Sequence, residues 1–322
     1  RNQEGADVRL RFATRDWDYL TPLVVGDVLS DRVQLQIDRV ETMVDGAGGD
    51  YDLAETSFSR YASAMAAGEN RFIGIPNFIM RGFRHRCIIV RQDSPLRDLP
   101  QLRGARIGVT GWRDSGNTWT RTALRRAGVD IGDALWFAGR LTATHPITDR
   151  LGGFRRPGLI EAMPDEEPMM DALARGGLDA VFTPFMPAGY FGPESPFRQL
   201  LPDFVTAERA YFEEVGYIPG MHMITLKADL ADVHPWLGAE VSRMVDDSRR
   251  KWTAKRRKYA DTTPWMLDEL LRCARDLPEE VEASGLAANR AMIADFGREL
   301  HGQGILGRAL TPDELFPDAG VP

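Results

Sequence analysis

Cysteine is scarce in this 322-residue chain: there are two, Cys87 and Cys273, far apart and in no CxxC or Cys/His spacing. A disulfide framework and a zinc-finger-like site are therefore not expected. Histidine is scarce as well. The five histidines, His85, His145, His222, His234 and His301, show no HxH or HExxH pattern, so no metal ligand set is expected. No run of about 18 apolar residues occurs, which argues against a membrane-spanning helix and a membrane partner. Positive charge is not in excess, since 40 Lys and Arg stand against 47 Asp and Glu, a formal net charge of −7. A nucleic-acid binder would show a basic face. The basic cluster Lys255-Arg256-Arg257-Lys258 is flanked by acidic residues and reads as a solvated helix face. GxSxG, P-loop and Rossmann fingerprints are missing, and Gly46-Ala47-Gly48-Gly49 is a loop signal only.

What is present is the composition of an ordinary globular protein, 43% apolar and 27% charged. Its length suits two domains of roughly 100–200 residues each. Alternating apolar residues predict strands over residues 8–14 (VRLRFAT) and 34–40, and a short strand over 53–57 ends in small hydroxyl residues. A helix is expected over 60–68, then a strand over 72–78 interrupted by Pro76. Residues 83–91 (FRHRCIIVR) read as a strand whose second half is continuously apolar, as in a strand buried on both faces. Residues 93–102 hold two prolines and read as a linker. A new strand at 105–110 runs into the polar turn GWRDSGNT and a helix over 119–127, a combination that exposes backbone N–H groups to an anion. Residues 141–167 read as a long loop. A buried strand at 178–182 stops at Thr183-Pro184. Residues 204–212 read as short pieces leading into GYIPGMHMITLKAD, a turn followed by a strand that opens on His222. Beyond Pro235 the pattern is helical, and the chain closes on a short helix with Thr311 as N-cap and Pro312 at its first position.

Strands alternating with helices predict α/β layers. The strand at His222 has no strand partner in the helical tail that follows. The economical arrangement is discontinuous: lobe 1 comprises residues 1–93 and 222–322, lobe 2 comprises 94–221, and two crossing strands form a hinge beside a cleft. The start, RNQEGADVRLRF, has no apolar signal core, so a cytoplasmic location is expected, with a periplasmic one as the alternative had a signal peptide been removed.

Three patterns, LAETSFSRY, FRHRCIIVRQDSPL followed by LRGARIGVTGW, and GYIPGMHMITLKADLADVHPW, are similar in that order to 4,5-dihydroxyphthalate decarboxylases and their relatives. The resemblance spans roughly residues 8–296. It implies a type II periplasmic-binding-protein-like fold of two α/β lobes. The opening strand departs from the family, leading into Thr14-Arg15-Asp16-Trp17-Asp18-Tyr19 where a Tyr-Asp-Arg-Thr-like segment is typical. The implied reaction is non-oxidative loss of CO2 from a small hydroxylated aromatic carboxylate, which needs a general acid at the ring carbon, cations for carboxylates and no cofactor.

His222 is the candidate acid, at the return crossing, and His85 on the outward crossing is the second candidate. Arg84 and Arg86 share one side of the expected 83–91 strand and could clamp a carboxylate. Arg15 follows the first strand at its carboxyl end, where open α/β sheets place ligands. Thr56 and Ser57 end a strand at the same edge. Ser115, Asn117 and Thr118 start a helix, Thr183 ends a lobe 2 strand, and Trp112 could stack on an aromatic ring. Capping, turn formation and core packing are the competing roles for each. A homo-oligomer is compatible with the sequence. The competing function is a solute-binding protein that holds a small aromatic or other anionic ligand without turnover. A ligand-sensing regulator is disfavoured, because no helix-turn-helix precedes the first lobe.

Overall fold

The structure is a computed structural model and describes residues 8–317. Residues 1–7, part of the stretch read above for a signal core, and 318–322 lie outside the described residues. In chain order the elements are β1 (Val8–Thr14), α1 (Thr21–Val24), β2 (Val33–Arg39), β3 (Leu53–Ser57), α2 (Phe58–Ala66), β4 (Phe72–Arg81) and β5 (Ile88–Arg91). They continue with β6 (Arg106–Val109), α3 (Ser115–Arg126), β7 (Leu135–Ala138), β8 (Ile160–Ala162), α4 (Met169–Ala174), β9 (Ala180–Phe182) and β10 (Phe197–Gln199). The last are α5 (Phe204–Val215), β11 (Gly220–Lys227), α6 (Ala228–Val233), α7 (Leu237–Lys258), α8 (Met266–Asp276), α9 (Leu286–Gly302) and α10 (Pro312–Leu315). No helix among the described residues is long and apolar enough to cross a membrane.

The chain forms two compact units, one from residues 8–81, 220–294 and 310–317, the other from 82–219 and 295–309. The first unit has a five-stranded sheet in the order β2-β1-β3-β11-β4. Its strands β1, β2 and β3 are parallel, and β11 runs antiparallel to both β3 and β4. The second unit has a six-stranded sheet in the order β10-β5-β9-β6-β7-β8, parallel from β9 to β8, with β5 antiparallel to β9 and β10. Each sheet thus carries one reversed strand second from an edge. In each case that strand, β5 or β11, is the first strand after the chain has entered the unit.

The first unit buries one face of its sheet against α7. Leu10, Phe12, Leu53 and Ile224 from the strands meet Leu237, Val241 and Met244 of the helix. The α7 spacing of four and three residues is that of an amphipathic stripe. The stripe extends to Ser248, whose hydroxyl donates to the Tyr19 carbonyl at 2.8 Å and accepts from the Leu23 amide at 3.1 Å. Thr311 caps α10 as its sequence predicts, in a reciprocal box with Glu314.

Three elements differ from expectation. The strand expected over 83–91 begins only at Ile88, and His85–Cys87 form a single 3₁₀ turn. The Arg86 amide is held by the buried Glu208 carboxylate (3.2 Å) and the Cys87 amide by the Arg84 carbonyl (2.9 Å), so neither joins a ladder. β4 runs on through Pro76 to Arg81, but its ladder with β11 is interrupted there as expected: Ile75 pairs with Ile224 and Met80 with His222, and residues 76–79 fall in the register shift between them. Residues 204–215 form one continuous helix, α5, capped by Asp203, which accepts from the Thr206 amide at 3.1 Å. It stops at Gly216 with φ 76, the left-handed conformation that glycine adopts most readily.

Candidate active site

In the first unit the carboxyl ends of β1 and β3 and the opening of β11 reach the same edge of the sheet. Strand alternation puts Glu55 and Ser57 on one face of β3 and Thr56 on the other. In the β3–β11 register His222 lies opposite Ser57, and Glu55 opposite Ile224, so His222 and Glu55 are diagonal neighbours on one face. Their side chains meet, with His222 Nδ1 and Glu55 Oε1 2.6 Å apart. Glu55 is 1% exposed and His222 9%.

A carboxylate so deeply buried needs partners for every lone pair. Glu55 Oε2 supplies the second half of the account. It accepts from the Thr14 hydroxyl (2.7 Å), the Arg15 amide (2.8 Å) and the Trp17 indole N–H (3.0 Å). Burial pushes this carboxyl up, but the hydrogen bond and charge of His222, with the donors from Arg15 and Thr14, more than reverse that and hold it below the usual carboxylate range. Glu55 is therefore ionised at neutral pH. A carboxylate accepting at Nδ1 fixes the proton on that nitrogen and leaves Nε2 as the working atom of the ring. Among the described residues Nε2 has no hydrogen-bond partner.

The segment after β1 builds the wall beside this pair. Trp17 stacks on Tyr19 with ring centres 5.9 Å apart and planes 7° from parallel. The Tyr19 hydroxyl donates to the Ile79 carbonyl, and the Arg249 guanidinium lies 5.2 Å from the Tyr19 ring centre. The indole that donates to Glu55 is thus fixed by packing as well as by its hydrogen bond.

The structure brings four sequence-predicted groups to this edge: His222, Ser57, Arg15 and Thr56. Ser57 is buried at the N-cap position of α2. The Arg15 backbone binds Glu55, and its side chain is half-buried at the carboxyl end of β1. Thr56 is on the opposite face of β3, where its hydroxyl meets that of Thr225 at 2.9 Å. Glu55 was missed. Its signal was a lone carboxylate in a five-residue strand, LAETS, otherwise made of apolar and hydroxyl residues, at the position that shares a face with Ser57.

In the second unit the remaining candidates gather around α3 and the turn at His85. Arg84 is 3% exposed, and its Nε donates to the Gly116 carbonyl (3.1 Å) and the Thr120 hydroxyl (3.2 Å). Gly116 leaves room for this side chain, since a Cβ there would come within 2.7 Å of the Arg84 guanidinium and push it aside. Asn117 donates to the Thr110 hydroxyl and the Gly111 carbonyl, both at 2.9 Å, and the Thr118 hydroxyl donates to the Asp114 carbonyl at 3.1 Å. These groups hold the polar turn to the helix, with Ser115 buried at its first position. Trp112 is buried edge-on to Trp136, with the Arg121 guanidinium 4.0 Å from its ring centre. Thr183 closes a turn by accepting from the Phe185 amide at 3.0 Å.

Arg86 forks onto Glu208, with Nε 2.9 Å from Oε1 and Nη2 2.6 Å from Oε2. His85 packs edge-on against Tyr211, ring centres 5.2 Å apart. Burial pushes the His85 imidazole below its ordinary value; Glu208 opposes this and Arg86 adds to it. The two histidines thus differ in kind. One is backed by a carboxylate and the other is held neutral by its surroundings. Among the described residues no group of three or more His, Cys, Asp or Glu side chains is placed to hold a metal ion.

Two α/β sheets, each with one reversed strand, place the protein in the type II periplasmic-binding-protein-like class. Solved structures agree on the fold. The aliphatic sulphonate binding protein SsuA of Escherichia coli matches with a TM-score of 0.51 at 13% identity, covering 96% of this chain and 91% of that one. The alkanesulfonate-binding SsuA of Xanthomonas axonopodis pv. citri, bound to MOPS, matches with a TM-score of 0.53 at 14% identity, covering 97% and 98%. No family model matches the chain. Among curated proteins, a 4,5-dihydroxyphthalate decarboxylase of Comamonas testosteroni is 28% identical over 328 aligned positions, 98% of either chain. One of Pseudomonas putida is 31% identical over 215 positions, 65% of this chain and 83% of that protein. The chain belongs to the 4,5-dihydroxyphthalate decarboxylase family, a family of carboxy-lyases.

Proposed function

We propose that this protein decarboxylates a hydroxylated aromatic carboxylic acid of the 4,5-dihydroxyphthalate type, with His222 as general acid. The observation that carries the reading is the 2.6 Å pair of His222 Nδ1 and Glu55 Oε1 at the carboxyl edge of the first sheet, in a chain of this family. The imidazolium gives its Nε2 proton to the ring carbon that bears the carboxylate. The new C–H bond takes its electron pair from the ring, assisted by the hydroxyl para to that carbon. The bond to the carboxylate then breaks, its electron pair restores the aromatic ring, and CO2 leaves. The ring itself takes up the charge, so this step calls for no electron-sink cofactor. His222 is reprotonated from solvent, and Glu55 stabilises the charged form of its ring throughout.

Arg15 is the proposed carboxylate clamp beside His222, because its backbone is already tied to Glu55. His85, pushed toward its neutral form, is a poor proton donor and is not assigned the acid role. We further propose that the two compact units are the two lobes of the fold. A cytoplasmic location fits two free thiols, Cys87 buried and Cys273 exposed.

The test is a substrate panel read by CO2 release and by NMR of the ring product. 4,5-Dihydroxyphthalate yields 3,4-dihydroxybenzoate. 4-Hydroxyphthalate loses only the carboxylate para to its hydroxyl and yields 3-hydroxybenzoate, and phthalate is inert. Formation of 4-hydroxybenzoate from 4-hydroxyphthalate would contradict the para-assisted mechanism. Binding across the panel with no CO2 would leave the solute-binding reading.

A further inference from the structure

The 2.6 Å between His222 Nδ1 and Glu55 Oε1 fits two arrangements of one shared proton. In the first, an imidazolium donates from Nδ1 to a carboxylate. In the second, a neutral carboxylic acid donates to a neutral imidazole. Away from water the second competes well, because it buries no charge. The two differ in chemistry. Only the imidazolium is an acid of useful strength at Nε2; the N–H of a neutral imidazole is not.

The groups around the other carboxylate oxygen decide between them. Oε2 accepts from the Thr14 hydroxyl at 2.7 Å, the Arg15 amide at 2.8 Å and the Trp17 indole at 3.0 Å. The Thr14 hydroxyl also lies 3.3 Å from the Arg15 carbonyl, but it has a single proton and the shorter contact takes it. With His222 on Oε1, these donors fill the roughly four lone-pair sites of an ionised carboxylate. A neutral carboxyl would hold them less well, since a hydrogen bond to an ionised group is about twice as strong as a neutral one. Burial pushes the Glu55 carboxyl up, and the Arg15 and Thr14 donors act with His222 to bring it below the ordinary range. Glu55 is 1% exposed, so water does not replace a donor that is lost. The local chain builds this cradle. β1 ends at Thr14, and the Trp17 amide then donates back to the Arg15 carbonyl at 2.9 Å, a tight turn that sets the three donors around one oxygen.

We propose that Thr14 and Trp17 are positioning residues whose donors keep the shared proton on His222 rather than on Glu55. They thereby set the strength of the acid. The inference rests on the general-acid reading above and names the groups outside the pair that make that acid work.

Thr14→Val, Trp17→Phe and the double variant test it, and Thr14→Ser is the variant that keeps the hydroxyl. Thr14→Val and Trp17→Phe each lower kcat about tenfold or more, the scale of one lost hydrogen bond to a charged group. KM changes by no more than a few fold, and Thr14→Ser stays near the wild-type kcat. Circular dichroism and the thermal midpoint show which variants are folded. Trp17→Phe, at a half-buried position that keeps a ring against Tyr19, carries the same readouts alone if Thr14→Val does not fold. A second readout needs no substrate. The five histidines are labelled with ¹⁵N, and the His222 signals are identified by their loss in His222→Ala. At a pH where the pair holds its shared proton, both His222 nitrogens of the wild type resonate as N–H nitrogens. In the double variant, or in Trp17→Phe if that variant stands alone, the Nδ1 signal moves toward that of a nitrogen accepting a hydrogen bond. Wild-type kcat in the folded variants, a variant His222 with an unmoved Nδ1 signal, or a wild-type His222 with only one N–H nitrogen would each overturn the proposal. A wild type that releases no CO2 from 4,5-dihydroxyphthalate fails the general-acid reading, and the nitrogen signals still decide where the proton sits.

Discussion

Replacing His222 with alanine lowers kcat on 4,5-dihydroxyphthalate by about 10²–10⁴-fold, the usual range for removing a general acid, and leaves substrate binding measurable. In the proposed mechanism the imidazole, paired with Glu55 at Nδ1, gives its proton to one ring carbon, so its loss removes an interaction made in the transition state. The expected signature is a fall in kcat with Kd changed by no more than a few fold, read by calorimetric titration beside steady-state kinetics. The 9% exposure of His222 and its place in β11 make a folding defect the competing explanation, and the thermal midpoint of the variant separates the two. A variant that keeps near-normal kcat removes His222 from the mechanism.

The second large effect is expected at Glu55, which in the proposed mechanism acts through His222 as a positioning residue. Glu55→Gln preserves shape but removes the anion that stabilises the charged imidazole. Its amide can also donate to Nδ1 and impose the wrong tautomer. We expect kcat to fall by roughly 10²-fold or more, within the range lost when a proton-transfer group is misplaced. The loss should fall on kcat, with KM changed by no more than a few fold. A purely structural carboxylate would lower stability and leave kcat of the folded enzyme near the wild-type value.

Stability carries its own signature at Glu55. Its carboxyl is held below the ordinary range in the folded state. A group depressed in this way contributes stability that is fully present above its unfolded value, about 4.3, and is lost as the pH falls through its folded value. Wild-type stability should therefore drop more steeply than that of Glu55→Gln below about pH 4.3. At neutral pH the variant is less stable by roughly 1–3 kcal/mol, the cost of mispairing a buried hydrogen-bonding group.

Much of the frame was legible because it is written in local patterns. The strict alternation of VRLRFAT and the small strand LAETS gave β1 and β3, and Thr311-Pro312 gave α10. The reversed strand β11 was legible as a strand without a downstream partner. The errors came where a distant group decided the local conformation. Residues 83–91 are apolar enough for a strand throughout their second half, yet Glu208, on a helix more than a hundred residues later, claims the Arg86 amide and turns the first half into a 3₁₀ turn. α5 was missed although Asp203 and Gly216 bracket it as cap and stop.

The site divides in the same way. His222 was legible because it opens a buried strand. Glu55 was not, since its partner lies 167 residues away and only the β3–β11 register makes the two diagonal neighbours. Thr14 and Trp17, which complete the shell of that carboxylate, were read as the end of a strand and as part of the segment that departs from the family. Nothing within seven residues of sequence announces that four donors converge on one oxygen pair. Asn117 and Thr118 were found as polar groups at a helix start and Arg84 as a cation on the expected 83–91 strand, and the structure shows all three tying that helix start together.

The most direct test of the central claim is to supply 4,5-dihydroxyphthalate labelled with ¹³C in its carboxyl groups and to follow labelled CO2 and the ring product together. The account predicts one CO2 released for each 3,4-dihydroxybenzoate formed, with no added cofactor, and loss of both signals in His222→Ala. Recovery of bound, intact substrate from the wild type, with no labelled CO2, would contradict it.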